Sequence, residues 1–293
     1  MLISICCLTY NHEPYIRQCL DGFLMQKTNF AFEILIHDDA STDNTAEIIQ
    51  EYEKKYPDII KPIYQKENQY SKGKPISVTY QFPRAEGKYI AMCEGDDYWI
   101  DPYKLQKQVD FLESNRDYNI SAHNAIRLEN SNGIYALFNR MPLKKTFTIQ
   151  DLIMEGWFIP TASIVFRKES LINNPMKELF FNGDYYLQLL LLTPLNSYGH
   201  YIDQVMSIYR IHENGISNIQ HGRGSNEKDL ISLLQYVDQY SDRQYTDLFS
   251  ERISIMQKEY VQRQQRIKHR NTFLFKLIRK IYFYLHKYLH KYS

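Results

Sequence analysis

Residues Gly87–Asp97 read GKYIAMCEGDD, a short apolar run that ends in three acids within four residues, Glu94, Asp96 and Asp97. The run has the composition of a strand covered on both faces, so the acids fall at its carboxyl end. Adjacent carboxylates repel, and two arrangements relieve them: a divalent cation or a solvated turn. The following stretch, YWIDPYKLQKQVDFLES, gives an aromatic pair and then a helix expected to carry Pro102 in its first position.

Working outward, LISICCLTY is a second continuous apolar strand pattern near the start of the chain. In EPYIRQCLDGFLMQ, Tyr15, Cys19, Leu20 and Phe23 share one helical face. FEILIHDDAS is a further buried strand, and it too ends in acids, Asp38 and Asp39. TDNTAEIIQEYEKKY reads as a helix with Thr42 or Asp43 as its N-cap, IIKPIYQ as a strand, and Ile76–Ala85 as a short helix. Strand and helix alternate to about residue 115, which predicts a doubly wound, mostly parallel α/β sheet. Ligands of such sheets bind beyond the carboxyl ends of the strands, so two acidic clusters at that edge imply one shared site. Beyond it the pattern is mixed. NISAHNAIRLE, TASIVFRKE and YIDQVMSIYRIH read as strands, DYYLQLLLL as a helix, and the stretch from Ser225 to His269 as helical and polar.

The 293 residues suffice for a sizeable core, and 44% hydrophobic with 24% charged residues is ordinary for a globular chain. The 25 tyrosines suit half-apolar, half-wet surfaces such as sugar sites and membrane interfaces. The four cysteines, Cys6, Cys7, Cys19 and Cys93, show no zinc-ligand spacing and read as buried thiols of a reducing compartment. MLISICCLTYNHE lacks the basic region and cleavage site of a signal peptide, and no charge-free apolar run is long enough to span a membrane. A cytoplasmic location is therefore expected.

The motifs together resemble a known family. LTYNHEPYIRQCLDGFLMQ and FEILIHDDASTDNTAEII resemble the N-terminal half of the family 2 glycosyltransferases, which have the GT-A fold. GKYIAMCEGDDYWIDPYKLQKQVDFL resembles that family's metal-binding strand and following helix. TASIVFRKESL, NGDYYLQLLL and YRIHENGIS are similar to its acceptor half, in the same order. The resemblance covers roughly residues 1–217 and implies inverting transfer of a sugar from a nucleotide-sugar donor, with Mn²⁺ or Mg²⁺ as cofactor. It implies a GT-A domain over 1–218, divided into a donor half (1–115) and an acceptor half (116–218), with a helical extension over 219–269.

The chemistry of the residues agrees with this expectation. A diphosphate leaving group gains charge as the glycosidic bond breaks, and a hard cation held by carboxylates stabilises it. By the family's pattern Asp97 is the direct ligand and Asp96 lies nearer the ribose or sugar, while Glu94 stands where Asp is common. Asp39 is expected to accept from the uracil N3–H, a task suited to an ionised carboxylate. Asp38 either shares the nucleotide pocket or makes a structural hydrogen bond, and Thr9 and Asn11 line the same pocket. Asp184 matches the family's base, which takes the acceptor hydroxyl's proton, and is also placed to cap its helix; Phe180, Phe181, Tyr185 and Tyr186 would raise its pKa by desolvation. His212 resembles the third metal ligand or a diphosphate contact, and Arg210 either meets the diphosphate or forms a surface ion pair. Trp99 and Trp157 either stack on sugars or belong to the core. Two departures stand out: Ile159-Pro160-Thr161 replaces the His-Pro-Ser of many relatives in the acceptor region, and Ala40 stands where Gly is common.

The C-terminal stretch is distinct. The first 259 residues carry 26 basic and 34 acidic side chains, whereas the rest carries nine basic ones and no acid. On a helix, Lys276, Arg279, Lys280, His286, Lys287, His290 and Lys291 fall within an arc of about 140°. Leu274, Leu277, Ile278, Ile281, Leu285, Tyr288 and Leu289 lie opposite, and Phe273 and Phe283 break the division. Residues 270–293 thus read as a basic amphipathic helix, suited to an anionic membrane surface or to docking on protein. The expected whole is a peripheral glycosyltransferase on the inner face of the cell membrane. Its donor would be UDP-galactose, UDP-glucose or UDP-N-acetylglucosamine and its acceptor a saccharide, lipid-linked if the tail binds membrane, in capsule or O-antigen synthesis. Nucleic acid is not an expected partner. A non-catalytic nucleotide-sugar or membrane-binding scaffold is the competing expectation. A nucleotidyltransferase would want a glycine-rich phosphate loop, which LTYNHEPY lacks.

Overall fold

A computed structural model describes residues 1–129, 133–140, 143–171, 183–213, 215 and 227–289, the last stretch by backbone alone from residue 269. The first strand, β1 (Ile3–Thr9), is followed by α1 (Ile16–Leu24), β2 (Phe32–Asp38), α2 (Thr45–Lys55) and β3 (Ile60–Tyr64). β1 pairs in parallel with β2, and β2 with β3. The chain then returns through short helical turns to lay β4 (Tyr89–Met92) in parallel on the other edge of β1. Sheet growth therefore reverses at β1, and the crevice beyond the carboxyl ends of β1 and β4 is a topological switch point. Both strands are continuous apolar runs because both faces are covered: Ile3, Ile5, Cys7, Tyr89 and Ala91 pack in one core with Ile16, Leu20 and Phe23 of α1.

The second half completes the sheet. β5 (Tyr98–Trp99), α3 (Lys104–Ser114), β6 (Tyr118–Glu129), β7 (Ile134–Leu137), β8 (Thr146–Phe147), α4 (Ile149–Glu155), β9 (Val165–Arg167), α5 (Gly183–Leu191) and β10 (Tyr198–Ile211) follow in order. The sheet runs β3-β2-β1-β4-β9-β6-β10-β5, with β7 beside β6 and β8 beside β10. β9 is antiparallel to both β4 and β6 and joins the two halves, while β6 and β10 run parallel. Helices α6 (Glu227–Tyr240) and α7 (Thr246–Leu289) end the chain. Residues 1–244 form one compact unit and the chain from Tyr245 a second, built on α7. The helical backbone of α7 runs unbroken across residue 270.

Several local expectations change. α3 begins at Lys104 rather than at Pro102, because the Asp101 carboxylate accepts the Tyr103 N–H (2.8 Å) and spends Pro102 in the preceding turn. Asn44 occupies the cap position of α2, yet Asp43 does the capping by accepting the Thr45 N–H at 3.0 Å. TASIVFRKE is a strand only from Val165, since the Ser163 hydroxyl and amide both bond back to the Pro160 carbonyl. Trp99 is core: 2% exposed, edge-on to Phe23 at 4.7 Å, its indole N–H donating to the Ala162 carbonyl at 2.8 Å. All four cysteines are buried free thiols.

Candidate active site

At the switch point, the turn after β4 is closed by the Asp97 N–H on the Glu94 carbonyl (3.0 Å) and tied to β1 by the Gly95 N–H on the Leu8 carbonyl (2.8 Å). Gly95 is required by space: a Cβ there would lie 2.9 Å from His12 Nδ1 and 3.0 Å from Thr9 Cβ. The end of β10 crosses this turn. Its Arg210 N–H donates to Asp97 Oδ1 (2.8 Å), and the Arg210 guanidinium donates to the Asp96 carbonyl (2.6 Å) and to Gln18. That guanidinium lies 5.0 Å from the Tyr15 ring and 4.5 Å from the Tyr98 ring. Arg210 is thus a buried strut of the turn, with two of its five guanidinium donors bonded to protein.

Two residues on, His212 Nε2 lies 3.0 Å from Asp96 Oδ2, and His12 Nε2 lies 3.8 Å from the same oxygen. Ligand atoms of His12, Asp96 and His212 all fall within 4.8 Å of one another. In this geometry the acids exchange their expected places. Asp96 presents its carboxylate to the histidines, whereas Asp97 is 1% exposed, gives one oxygen to the Arg210 amide and leaves Oδ2 without a hydrogen bond. Sequence reasoning missed His12. Its signal was position, since YNHE follows the first strand at the edge shared by both acidic clusters.

The electrostatics match a site built to gather charge. Burial, then Asp96 and Asp184, push the half-buried Glu94 up to about 8. Burial, then Asp96 and Glu94, also raise Asp97. Burial alone would raise Asp96, but His12 and the hydrogen bond from His212 outweigh it and hold its carboxyl below the ordinary range. Burial lowers the pKa of His12, with Asp96 opposing the shift. A carboxylate and two imidazoles suit a divalent transition ion, Mn²⁺ more readily than Mg²⁺.

The second acidic pair is committed to loops. Asp38 accepts from the Ser41 amide and hydroxyl, and burial raises its carboxyl. Asp39 accepts the backbone N–H groups of Gln69 (2.7 Å) and Tyr70 (3.0 Å), fixing that loop beside the crevice. Asn11, at φ +55°, receives Thr42 N–H on its side-chain oxygen (2.8 Å) and gives its own N–H to Ser41. Thr9 Oγ1 is buried without a hydrogen bond. Ala40 has φ +64°, so the position where Gly is common does require the left-handed backbone.

Asp184 lies in the first turn of α5, within electrostatic reach of Glu94. Its Oδ1 accepts the Tyr185 N–H (2.8 Å) and its Oδ2 the Thr161 hydroxyl (3.2 Å). Burial raises its pKa, while these bonds and the nearby Trp157 side chain act against the rise. Phe180 and Phe181 lie outside the described residues, as do Asn214 and the residues after Gly215 in YRIHENGIS. The switch point thus gathers a histidine-carboxylate cluster, with the half-buried Asp184 within electrostatic reach of Glu94 in the turn after β4.

The sequence model "Glycosyl transferase family 2" matches residues 4–173. The chain belongs to glycosyl transferase family 2. An uncharacterized protein of Mycobacterium tuberculosis (strain ATCC 25618 / H37Rv) is 34% identical over 218 residues, which is 73% of this chain and 60% of that protein. The chain thus spans three-fifths of the length of that relative. The Escherichia coli protein WfgD, named a UDP-Glc:alpha-D-GlcNAc-diphosphoundecaprenol beta-1,3-glucosyltransferase, is 29% identical over 219 residues, 74% of this chain and 80% of that one. Among solved structures, Staphylococcus aureus TarS 1–349 in complex with UDP-GlcNAc superposes with a TM-score of 0.62 at 20% identity, over 81% of this chain and 65% of that one. The fold is therefore GT-A. No helix among the described residues is long and apolar enough to cross a membrane.

Proposed function

We propose that this family 2 glycosyltransferase moves a hexose or N-acetylhexosamine from a UDP-sugar to a saccharide acceptor by single, inverting displacement, in the synthesis of a bacterial surface polysaccharide. The observation that carries the reading is the convergence of His12, Asp96 and His212 at the switch point, with Asp184 within electrostatic reach of Glu94 in the turn after β4. UDP as the nucleotide is supported by the UDP-GlcNAc-bound TarS fold and by the UDP-glucose named for WfgD. The leading donors are UDP-glucose, UDP-galactose and UDP-N-acetylglucosamine. WfgD's named acceptor is a sugar diphosphate on a lipid, which supports a lipid-linked acceptor here.

His12, Asp96 and His212 would hold a divalent cation, Mn²⁺ or Mg²⁺, and such an ion neutralises charge on a departing diphosphate. Asp97 and Arg210 fix the turn that presents Asp96. Thr9, Asn11, Asp38 and Asp39 border the nucleotide; the Asp39 oxygens have lone pairs left after serving two backbone amides, and a uracil N–H would use one of them. Asp184 takes the proton of the acceptor hydroxyl as that oxygen attacks the anomeric carbon. Its raised pKa brings it closer to that of a group that must accept a proton and later release it.

The basic stretch over 270–293 would hold the enzyme on an anionic membrane surface, where lipid-linked acceptors reside. Cosedimentation with vesicles of anionic phospholipid tests this: the full chain should pellet and a chain lacking 270–293 should not. Equal pelleting of both removes the membrane role.

The catalytic reading is tested by calorimetric binding and slow hydrolysis of UDP-, GDP-, CDP- and dTDP-sugars with and without Mn²⁺. One UDP-sugar should bind in a metal-dependent way and hydrolyse, and Asp96→Asn or His212→Ala should abolish both. A folded protein that binds none of the donors would instead be the non-catalytic scaffold.

A further inference from the structure

Most large aromatic side chains of the sheet are buried, but Trp157 is 38% exposed. It follows Gly156, whose φ of +83° ends α4 in a conformation that only glycine adopts freely and turns the chain outward. Two rings brace it edge to face: Phe138 at 5.2 Å and 89°, and Tyr209 at 6.1 Å and 66°. Phe138 and Tyr209 themselves meet at 5.6 Å and 88°. The brace is rigid at its roots. Phe138 N–H bonds the Ala125 carbonyl (2.8 Å), and Asn139 next to it ties the hairpin to the Phe158 carbonyl (2.9 Å). Tyr209 directly precedes Arg210, the strut of the acidic turn.

The same segment grips the base. Thr161, four residues on, hydrogen-bonds the Asp184 carboxylate, and the Trp157 side chain is near enough to act on the same acid. A half-exposed indole fixed by two rings beside the acid that must meet the acceptor hydroxyl has more organisation than packing alone requires.

We propose that Trp157, braced by Phe138 and Tyr209, is the acceptor platform: the apolar C–H face of a pyranose lies on the indole and sets one ring hydroxyl against Asp184. Aromatic rings pair favourably with the weakly positive edges of apolar groups, and a rigid ring does so at low entropic cost. The ligand class is a pyranoside, rather than the hydroxyl of a serine or threonine in a peptide. The inference rests on the transferase reading and concerns its acceptor side alone.

Saturation-transfer NMR tests it with methyl β-D-glucopyranoside, methyl β-D-galactopyranoside and methyl N-acetyl-β-D-glucosaminide, each with and without UDP. A serine-containing hexapeptide is run alongside, and UDP binding is measured separately. The wild type should transfer saturation to at least one pyranoside, strongest at ring C–H protons. Trp157→Ala should lose about tenfold in affinity for it. Trp157→Phe, which keeps a ring but not the N–H, should retain most of the affinity, and both variants should bind UDP as the wild type does. Equal pyranoside signals in the wild type and Trp157→Ala would overturn the platform. So would a signal from the peptide alone, or a Trp157→Phe variant as weak as Trp157→Ala. A wild type that contacts pyranosides through Trp157 but binds no UDP would leave the platform standing and remove the transferase reading instead.

Discussion

Lys104, the first residue of α3, is fully buried. Its ammonium lies 4.1 Å over the Trp99 ring and donates to Gln108 Oε1 at 2.8 Å, and no carboxylate among the described residues pairs with it. It stands at a helix N-terminus, where the aligned peptide dipoles disfavour a cation. Burial pulls its pKa down to about 7, with Cys93 and Asp101 opposing, and His123 faces it from β6 with its own pKa lowered by burial and then by Lys104. The sign follows from linkage. The folded pKa is below the unfolded one, so the unfolded chain binds more protons between about pH 7 and 10.5, and stability rises with pH through that window. Below pH 7 the full cost is present, about 4–5 kcal/mol at 1.36 kcal/mol per unit.

Lys104→Met keeps the volume and removes the charge. It should stabilise the protein at pH 6 by about 4 kcal/mol, and that advantage should shrink by about 2–3 kcal/mol by pH 9. Urea unfolding followed by far-ultraviolet circular dichroism at pH 6, 7.5 and 9 measures it. A difference between the two proteins that does not change across those pH values would refute the reasoning, because Lys104 would then keep one charge state in the fold.

Asp184→Asn should lower turnover by about 10²–10⁴ while UDP binding, measured calorimetrically, is unchanged; parallel loss of UDP affinity would make Asp184 structural. Gly95→Ala should cost about 1–3 kcal/mol in urea unfolding and weaken Mn²⁺ binding measured by electron paramagnetic resonance, since the new methyl meets His12 Nδ1 at 2.9 Å. Unchanged Mn²⁺ affinity would take His12 out of the metal site. Ala40→Gly should be neutral to stabilising by about 1 kcal/mol, because relief of the left-handed backbone exceeds glycine's added unfolded-state entropy; a loss of stability would show that Ala40 is not strained.

The N-terminal part of the sheet was legible because its strands are covered on both faces. Continuous apolar runs at β1, β2 and β4 can end only where the chain leaves the sheet, so their terminal acids had to share an edge. The sidedness of those acids was not legible. Asp96 and Asp97 are neighbours in a turn, and which one faces the crevice is decided by the Arg210 amide, 113 residues away, claiming Asp97 Oδ1. His12 escaped for the same reason: its partners, Asp96 and His212, come from two other strand ends. Trp99 could not be assigned from its sequence context, because the acceptor of its N–H is the Ala162 carbonyl across the sheet. Trp157 looks no different in sequence, yet a glycine with positive φ before it leaves it half in solvent.

Arg210 shows how the two halves act as one site. A diphosphate contact was the natural expectation for a basic residue two positions before His212; in the fold its guanidinium lies near the Tyr15 and Tyr98 rings and bonds Asp96 O and Gln18. Its planar fork reaches a carbonyl and an amide oxygen at once while stacking on two rings, which an ammonium cannot do. Through it the end of β10 is locked to α1 and to the turn after β4, so His212 and Asp96 are placed by one strut. Tyr209, its neighbour on the strand, braces Trp157. The histidine-carboxylate cluster and the exposed indole are therefore both set by consecutive residues of one strand, and on the proposed function a shift of β10 would move both sides of the reaction together rather than open one against the other.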